Sequence, residues 1–231
     1  MNKFRFLWLG LIALVGARAL SAQGIVVDQG QFTVTVEGVA VGSEDFVIRR
    51  AGLGSGDAVF ANATVALVVG GAAQGMRMIL RAIPPEGSAD SYQIDVTGVG
   101  VAEIGLERAD RRFLATVRSP AGEEDREFPA RPDTRVVELN IAHHYYFLRD
   151  LLPGREVHVI EPRSRRQITL TASERTEESI TLGRNVVSAR RITFSSNGGD
   201  DRTVWFDRQG RVLKVEVPSR AYGAERTDLV G

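Results

Sequence analysis

From residue 32 onward, apolar and polar residues take turns along the chain, the period that a strand with one buried face requires. Phe32, Val34 and Val36 alternate with Thr33, Thr35 and Glu37. Val59, Ala61, Ala63, Val65, Leu67 and Val69 fall on one face of a longer strand, which Gly70-Gly71 closes. Met76, Met78 and Leu80 then alternate with Arg77 and Arg81, and Tyr92, Ile94 and Val96 with Gln93, Asp95 and Thr97. The pattern continues through Ala102–Leu106, Phe113–Val117, Ile168–Leu170, Ile180–Leu182 and Val187–Phe194. These runs predict roughly twelve to fifteen short strands.

The clearest hairpin lies in TVWFDRQGRVLKVEVP, where Asp207–Gly210 reverses the chain. Gly210 is expected in a left-handed conformation, with Leu213, Val215 and Val217 facing inward. Residues after Pro218 read as a polar tail. Ser119–Asp133, with three prolines and seven charges, reads as a loop with a short edge strand near Glu127-Phe128.

One segment breaks the alternation. Asn140 is a plausible N-cap for IAHHYYFLRDLL, and Pro153-Gly154 stops it. Ile141, Tyr145, Leu148 and Leu152 share a helical face, so a helix over 140–152 is expected. So many antiparallel strands must curl or close. The expected fold is mainly β: a curved antiparallel meander, half-barrel before sandwich, with one helix on its concave face. Residues 23–231 are expected to form this single domain.

Residues 1–22 have a basic start (Lys3, Arg5), an apolar run from Phe6 to Val15, and small residues after it. That is the pattern of a signal peptide, and the run is too short for a permanent span of ~20 residues. The mature protein is expected to be periplasmic or secreted, in a bacterium, and to meet the membrane only through this segment. Cleavage would remove Lys3, Arg5 and Arg18, leaving 26 basic against 29 acidic residues, a net charge of −3. Such a surface does not favour nucleic acid. With no cysteine, stability must come from packing.

The sequence offers little catalytic machinery. His143 and His144 are adjacent, diverge by about 100° on a helix, and read as surface or boundary residues. There is no HExxH and no GxSxG. Gly52–Gly56 lacks the Lys-Ser/Thr of a phosphate loop and reads as a strand connection. The acidic pairs, Glu44-Asp45 among them, read as solvated turn charges. Arg163, Arg165 and Arg166 read as a solvated loop. No catalytic residue, metal ligand or cofactor is predicted, and an enzyme is not expected.

The opening FTVTVEGVAVGSEDFVIRR, the mid-chain helix and the final hairpin resemble uncharacterised bacterial envelope β-meander proteins. Those end in W-x-D-x-x-G-R-[VL]-x-[KR], matched here by Trp205, Asp207, Gly210, Arg211, Val212 and Lys214. The architecture also resembles the lipoprotein-carrier half-barrels of the cell envelope. That resemblance implies a non-enzymatic protein that binds a lipid or acyl chain or assists envelope assembly. The candidate ligand lining is Met76, Met78, Leu80, Tyr145, Leu148 and Trp205. The alternative is a module that docks another envelope protein through a sheet edge or outer face.

Overall fold

In the computed structural model, the described residues are 24–52, 57–84 and 87–229. They build one sheet of sixteen strands. Its N-terminal half is an antiparallel meander of β1 (Ile25–Val36), β2 (Val39–Ala51), β3 (Ala58–Val69), β4 (Ala72–Ile83), β5 (Ser88–Gly98), β6 (Ala102–Ala109), β7 (Arg112–Ser119) and β8 (Gly122–Pro129). The other edge of β1 pairs with the last strand, β16 (Tyr222–Arg226). From there the sheet runs back through β15 (Val212–Val217), β14 (Arg202–Phe206), β13 (Asn185–Asn197), β11 (Arg166–Ala172) and β10 (Glu156–Glu161) to β9 (Arg135–Val136). β12 (Thr176–Leu182) pairs with the first half of β13, beside β11 on the same edge. Among the described strands, only β9 and β10 pair parallel.

The alternation seen in the sequence becomes the burial pattern. On β3, Ala61, Ala63, Val65 and Leu67 are buried while Thr64, Ala66 and Val68 are exposed. The buried face carries one continuous core that draws on strands from β1 to β16. A 3₁₀ helix, His143–Leu148, lies on this face, and all six of its residues are buried. Its rings pack on Phe46 of β2 and Tyr92 of β5, and the segment also meets β15. β5 and β15 are six strands apart, ~29 Å in a flat sheet. One short turn reaches both because the sheet curls around it.

The edges approach without joining. Arg165, in the β10–β11 turn, pairs with Glu124 of β8 at 2.6 Å, and Gln167 donates to the Pro129 carbonyl at 2.9 Å. No backbone ladder links β8 to β9 or β10, so the curl stays an open, barrel-like sheet.

Several expectations are corrected. The helix is a six-residue 3₁₀ segment rather than an α-helix over 140–152. Asn140 has φ +62°, and no side chain of its own segment caps the helix. The stretch after Pro218 is not a tail: β16 sits mid-sheet with Tyr222, Ala224 and Arg226 buried. Ser119–Asp133 is not a loop but chiefly the β7–β8 hairpin, with β8 as the expected edge strand. Gly210 is left-handed as expected, at φ +78°. Leu213 is the extra residue of a bulge, however, and faces away from Val215 and Val217. Residues 1–22 lie outside the described residues, as do 53–56 of the glycine-rich connection.

Candidate functional site

The six residues predicted to line a ligand site divide between two faces. Met76, Met78 and Leu80 project inward from β4, at most 2% exposed. They oppose Val65, Ala63 and Ala61 on one side and Val96, Ile94 and Tyr92 on the other. Tyr145 and Leu148 belong to the same core. Trp205 does not: it lies on the outer face with Leu182, Ala189 and Leu213, and its indole N–H donates to Glu178. None of the six lines either of the two clefts of about 490 Å³.

A buried polar cluster occupies the centre instead. His143 and His144, expected at the surface, are both fully buried. Glu44 of β2 accepts the backbone N–H groups of Ala142 (2.7 Å) and His143 (2.8 Å) and lies 2.7 Å from His143 Nδ1. A carboxylate from a distant strand therefore caps the helix. His144 Nδ1 accepts the Glu138 N–H at 3.0 Å, which leaves its proton on Nε2. Burial holds His144 well below the usual histidine range, helped by His143 and Arg163. Burial raises Glu138, and the Arg163 guanidinium, 3.1 Å away, opposes the rise. Glu161, also fully buried, pairs with Arg202 and with Arg166. Arg163 and Arg166 thus hold inner carboxylates rather than forming a solvated loop.

The signal for Glu44 was present. It is in phase with Phe46 and Ile48, so an acid stands at an inward position of a strand. What the cluster does is positional. Both imidazoles are closed off from solvent, and no group of three or more His, Asp or Glu among the described residues is arranged to hold a metal ion.

Space for a ligand opens at the end of the sheet where β2 finishes and β3 begins. A cleft of about 490 Å³ lies between these strand ends, the β4–β5 turn and the C-terminal part of the 3₁₀ helix. Val59, Pro84, Tyr146, Phe147, Leu151 and Leu152 give it apolar walls. Arg50, Arg149 and Arg155 line it too, with Asp57, Asp133 and Asp150. The Arg149 guanidinium lies 3.7 Å over the Tyr146 ring and donates to the Tyr146 carbonyl. Burial raises the Tyr146 hydroxyl pKa, and Arg149 counters it. Arg135 fixes the cleft floor by donating to the Phe147 carbonyl at 3.3 Å and to Ser88 Oγ at 3.1 Å. A second cleft of the same volume, on the outer face over Gly105, mixes the apolar Ile79 and Leu114 with Gln93, Glu103, Glu107 and Arg118.

The molecule is thus an open, barrel-like β-sheet protein with a polar-plugged core and, at one end, a cleft that combines apolar walls with charged residues. Its fold is similar to that of the beta-barrel-like protein of domain of unknown function DUF1849 from Brucella abortus. The TM-score is 0.54 at 9% identity, over 89% of this chain and 98% of that one. A DUF1089 family protein from Pseudomonas aeruginosa aligns with a TM-score of 0.46 at 14% identity, over 77% of this chain and 90% of that one. No protein-family model matches the sequence, and no curated protein matches it.

Proposed function

We propose that this chain is a non-enzymatic, extracytoplasmic binding protein of the bacterial envelope whose cleft holds an amphipathic ligand with an acyl chain. The observation that carries the reading is the cleft: apolar walls from Tyr146, Phe147, Leu151 and Leu152, with arginines beside them. Its volume suits a small-molecule site, which spans roughly 300–1,000 Å³. Met76, Met78 and Leu80 belong to the packed core and do not line this cleft. The export pattern of residues 1–22 supports the compartment. Docking of another envelope protein through the β8 edge is less favoured, because Glu123–Glu127 lines that edge with five charges, which block strand addition.

The test is binding of a fluorescent fatty acid to the wild type and to Phe147→Arg and Leu151→Arg. The wild type should bind, both variants should bind at least tenfold more weakly, and Trp205 emission should not respond. Failure of the wild type to bind, with no lipid extracted from protein purified from its host, would end the carrier reading.

A further inference from the structure

Among the described residues twelve large hydrophobics are exposed, and five of them sit together at one end of the N-terminal meander. Val39 (64%) follows the β1–β2 turn, Val68 (56%) and Val69 (46%) precede the β3–β4 turn, and Val99 (54%) and Val101 (47%) form the β5–β6 turn. The fourth turn at this end, between β7 and β8, is Pro120-Ala121, also exposed. From Val68 to Ala73, from Gly98 to Ala102 and from Pro120 to Gly122, no side chain is charged or can hydrogen-bond. At the opposite end the exposed hydrophobics Ile25, Val26, Ile83 and Leu152 are interspersed with charges: Arg49 and Arg50 face the first two across the ladder, and the β6–β7 turn is Asp110-Arg111, followed by Arg112.

We propose that the three apolar tips, β3–β4, β5–β6 and β7–β8, dock end-on onto a lipid bilayer, beside the β1–β2 tip, which carries the exposed Glu37. Three features fit a bilayer. First, part of the tip backbone is internally bonded, which lowers the cost of an apolar medium. Val99 N–H donates to the Ala73 carbonyl at 3.1 Å, Gln74 Nε2 donates to the Val99 carbonyl at 2.6 Å, and Ala121 N–H donates to Ser119 Oγ at 3.3 Å. Second, the arginine just behind the β5–β6 and β7–β8 tips is paired. Arg118 bonds Glu123 at 2.7 Å and lies 3.5 Å from Glu103, which makes a polar collar at head-group depth. Third, the apolar surface is divided among separate knobs. Tips two strands apart lie ~9.5 Å from one another, so the three apolar ones span about 19 Å. The five valines together expose less surface than three whole valine side chains, far below the ~800 Å² per partner of a stable protein interface. Tip-to-tip association with a second copy is therefore disfavoured, whereas a bilayer accepts each knob singly.

The chain has no cysteine, so a single introduced thiol labels one site. Val69→Cys, Val99→Cys and Arg111→Cys, each carrying an environment-sensitive dye, would be mixed with phosphatidylcholine vesicles. The dye should shift to the blue at Val69 and Val99 and stay unshifted at Arg111, whether or not residues 1–22 remain attached. The shift should be as large as with vesicles containing anionic lipid, because the collar is paired. Adding Val68→Asp to the Val99-labelled protein should remove the shift, with the circular dichroism unchanged. No shift at the tips, an equal shift at Arg111, or a shift that appears without vesicles as the protein dimerises would each overturn the proposal, the last in favour of a second copy.

Discussion

Glu44 Oε1 lies 2.7 Å from His143 Nδ1, and neither side chain exposes any surface. One carboxylate thus serves as helix cap and imidazole partner at once, fastening β2 to a segment about a hundred residues later in the chain. Local bonds from Glu138 and Arg149 also hold the 3₁₀ helix, but the acceptor for its first N–H groups comes from β2.

Glu44→Ala should therefore cost about 3–5 kcal/mol, because it leaves buried N–H groups without an acceptor. The denaturant midpoint measures it. Asp45→Ala, at the exposed neighbouring position, should change stability by less than about 0.5 kcal/mol. Equal losses from the two would mean that the cap contributes little.

Acid should weaken the fold through His144. Its folded form stays neutral below the ordinary value of 6.5, at which the unfolded chain takes up a proton. Unfolding then binds protons, so stability falls as pH drops through about 6.5, with a limiting slope of ~1.4 kcal/mol per pH unit for one proton. Glu138 acts oppositely: its raised pKa lets the folded state take up a proton first, which strengthens the fold as pH falls toward 4.5. Chemical denaturation from pH 7 to 5 should show a slope for His144→Phe that differs from the wild type by about one proton.

Gly210→Val should cost about 1–3 kcal/mol. The residue has φ +78°, and a Cβ there would come within 2.7 Å of Arg149 Cδ, so both strain and crowding oppose it. Because Arg149 also stacks on Tyr146 in the cleft wall, the variant should weaken probe binding as well as lower the melting temperature.

The strands were legible because a period of two survives wherever one face is buried. β16 was not, since its alternation places Arg226 at an inward position and a buried arginine reads as surface. Asp28 and Asp228 make that burial possible, and the partners lie almost two hundred residues away or beyond the strand's end. Trp205 was assigned to the wrong face because Val204, Trp205 and Phe206 are all apolar and β14 shows no alternation there; its two neighbours point into the core and Trp205 away from it. The helix was over-read: its apolar residues signalled burial from all sides, not one amphipathic face. The cleft had no local signature, being assembled from residues near 50–59, 84–87 and 133–155.

Arg226→Leu should lower stability by about 3–5 kcal/mol, because it strands Asp28, 2.8 Å away and nearly as buried. The double variant Arg226→Leu with Asp28→Leu should recover part of that loss, and a double-mutant cycle in urea reads the coupling. Full additivity would show that the pair is not coupled.

The pairing of β1 with β16 also governs how the molecule can be made. Seven consecutive hairpins from β1 to β8 can zip up while the rest of the chain is still being synthesised, since each closes only a short loop. The contact between Phe32 and Arg226 cannot form until the chain has been made through residue 226. Until then β1 offers a bare edge carrying Phe32 and Val34, the kind of edge that recruits other nascent chains. A chain that stops short of residue 222 keeps that edge permanently, and its expected fate is aggregation rather than a smaller stable domain.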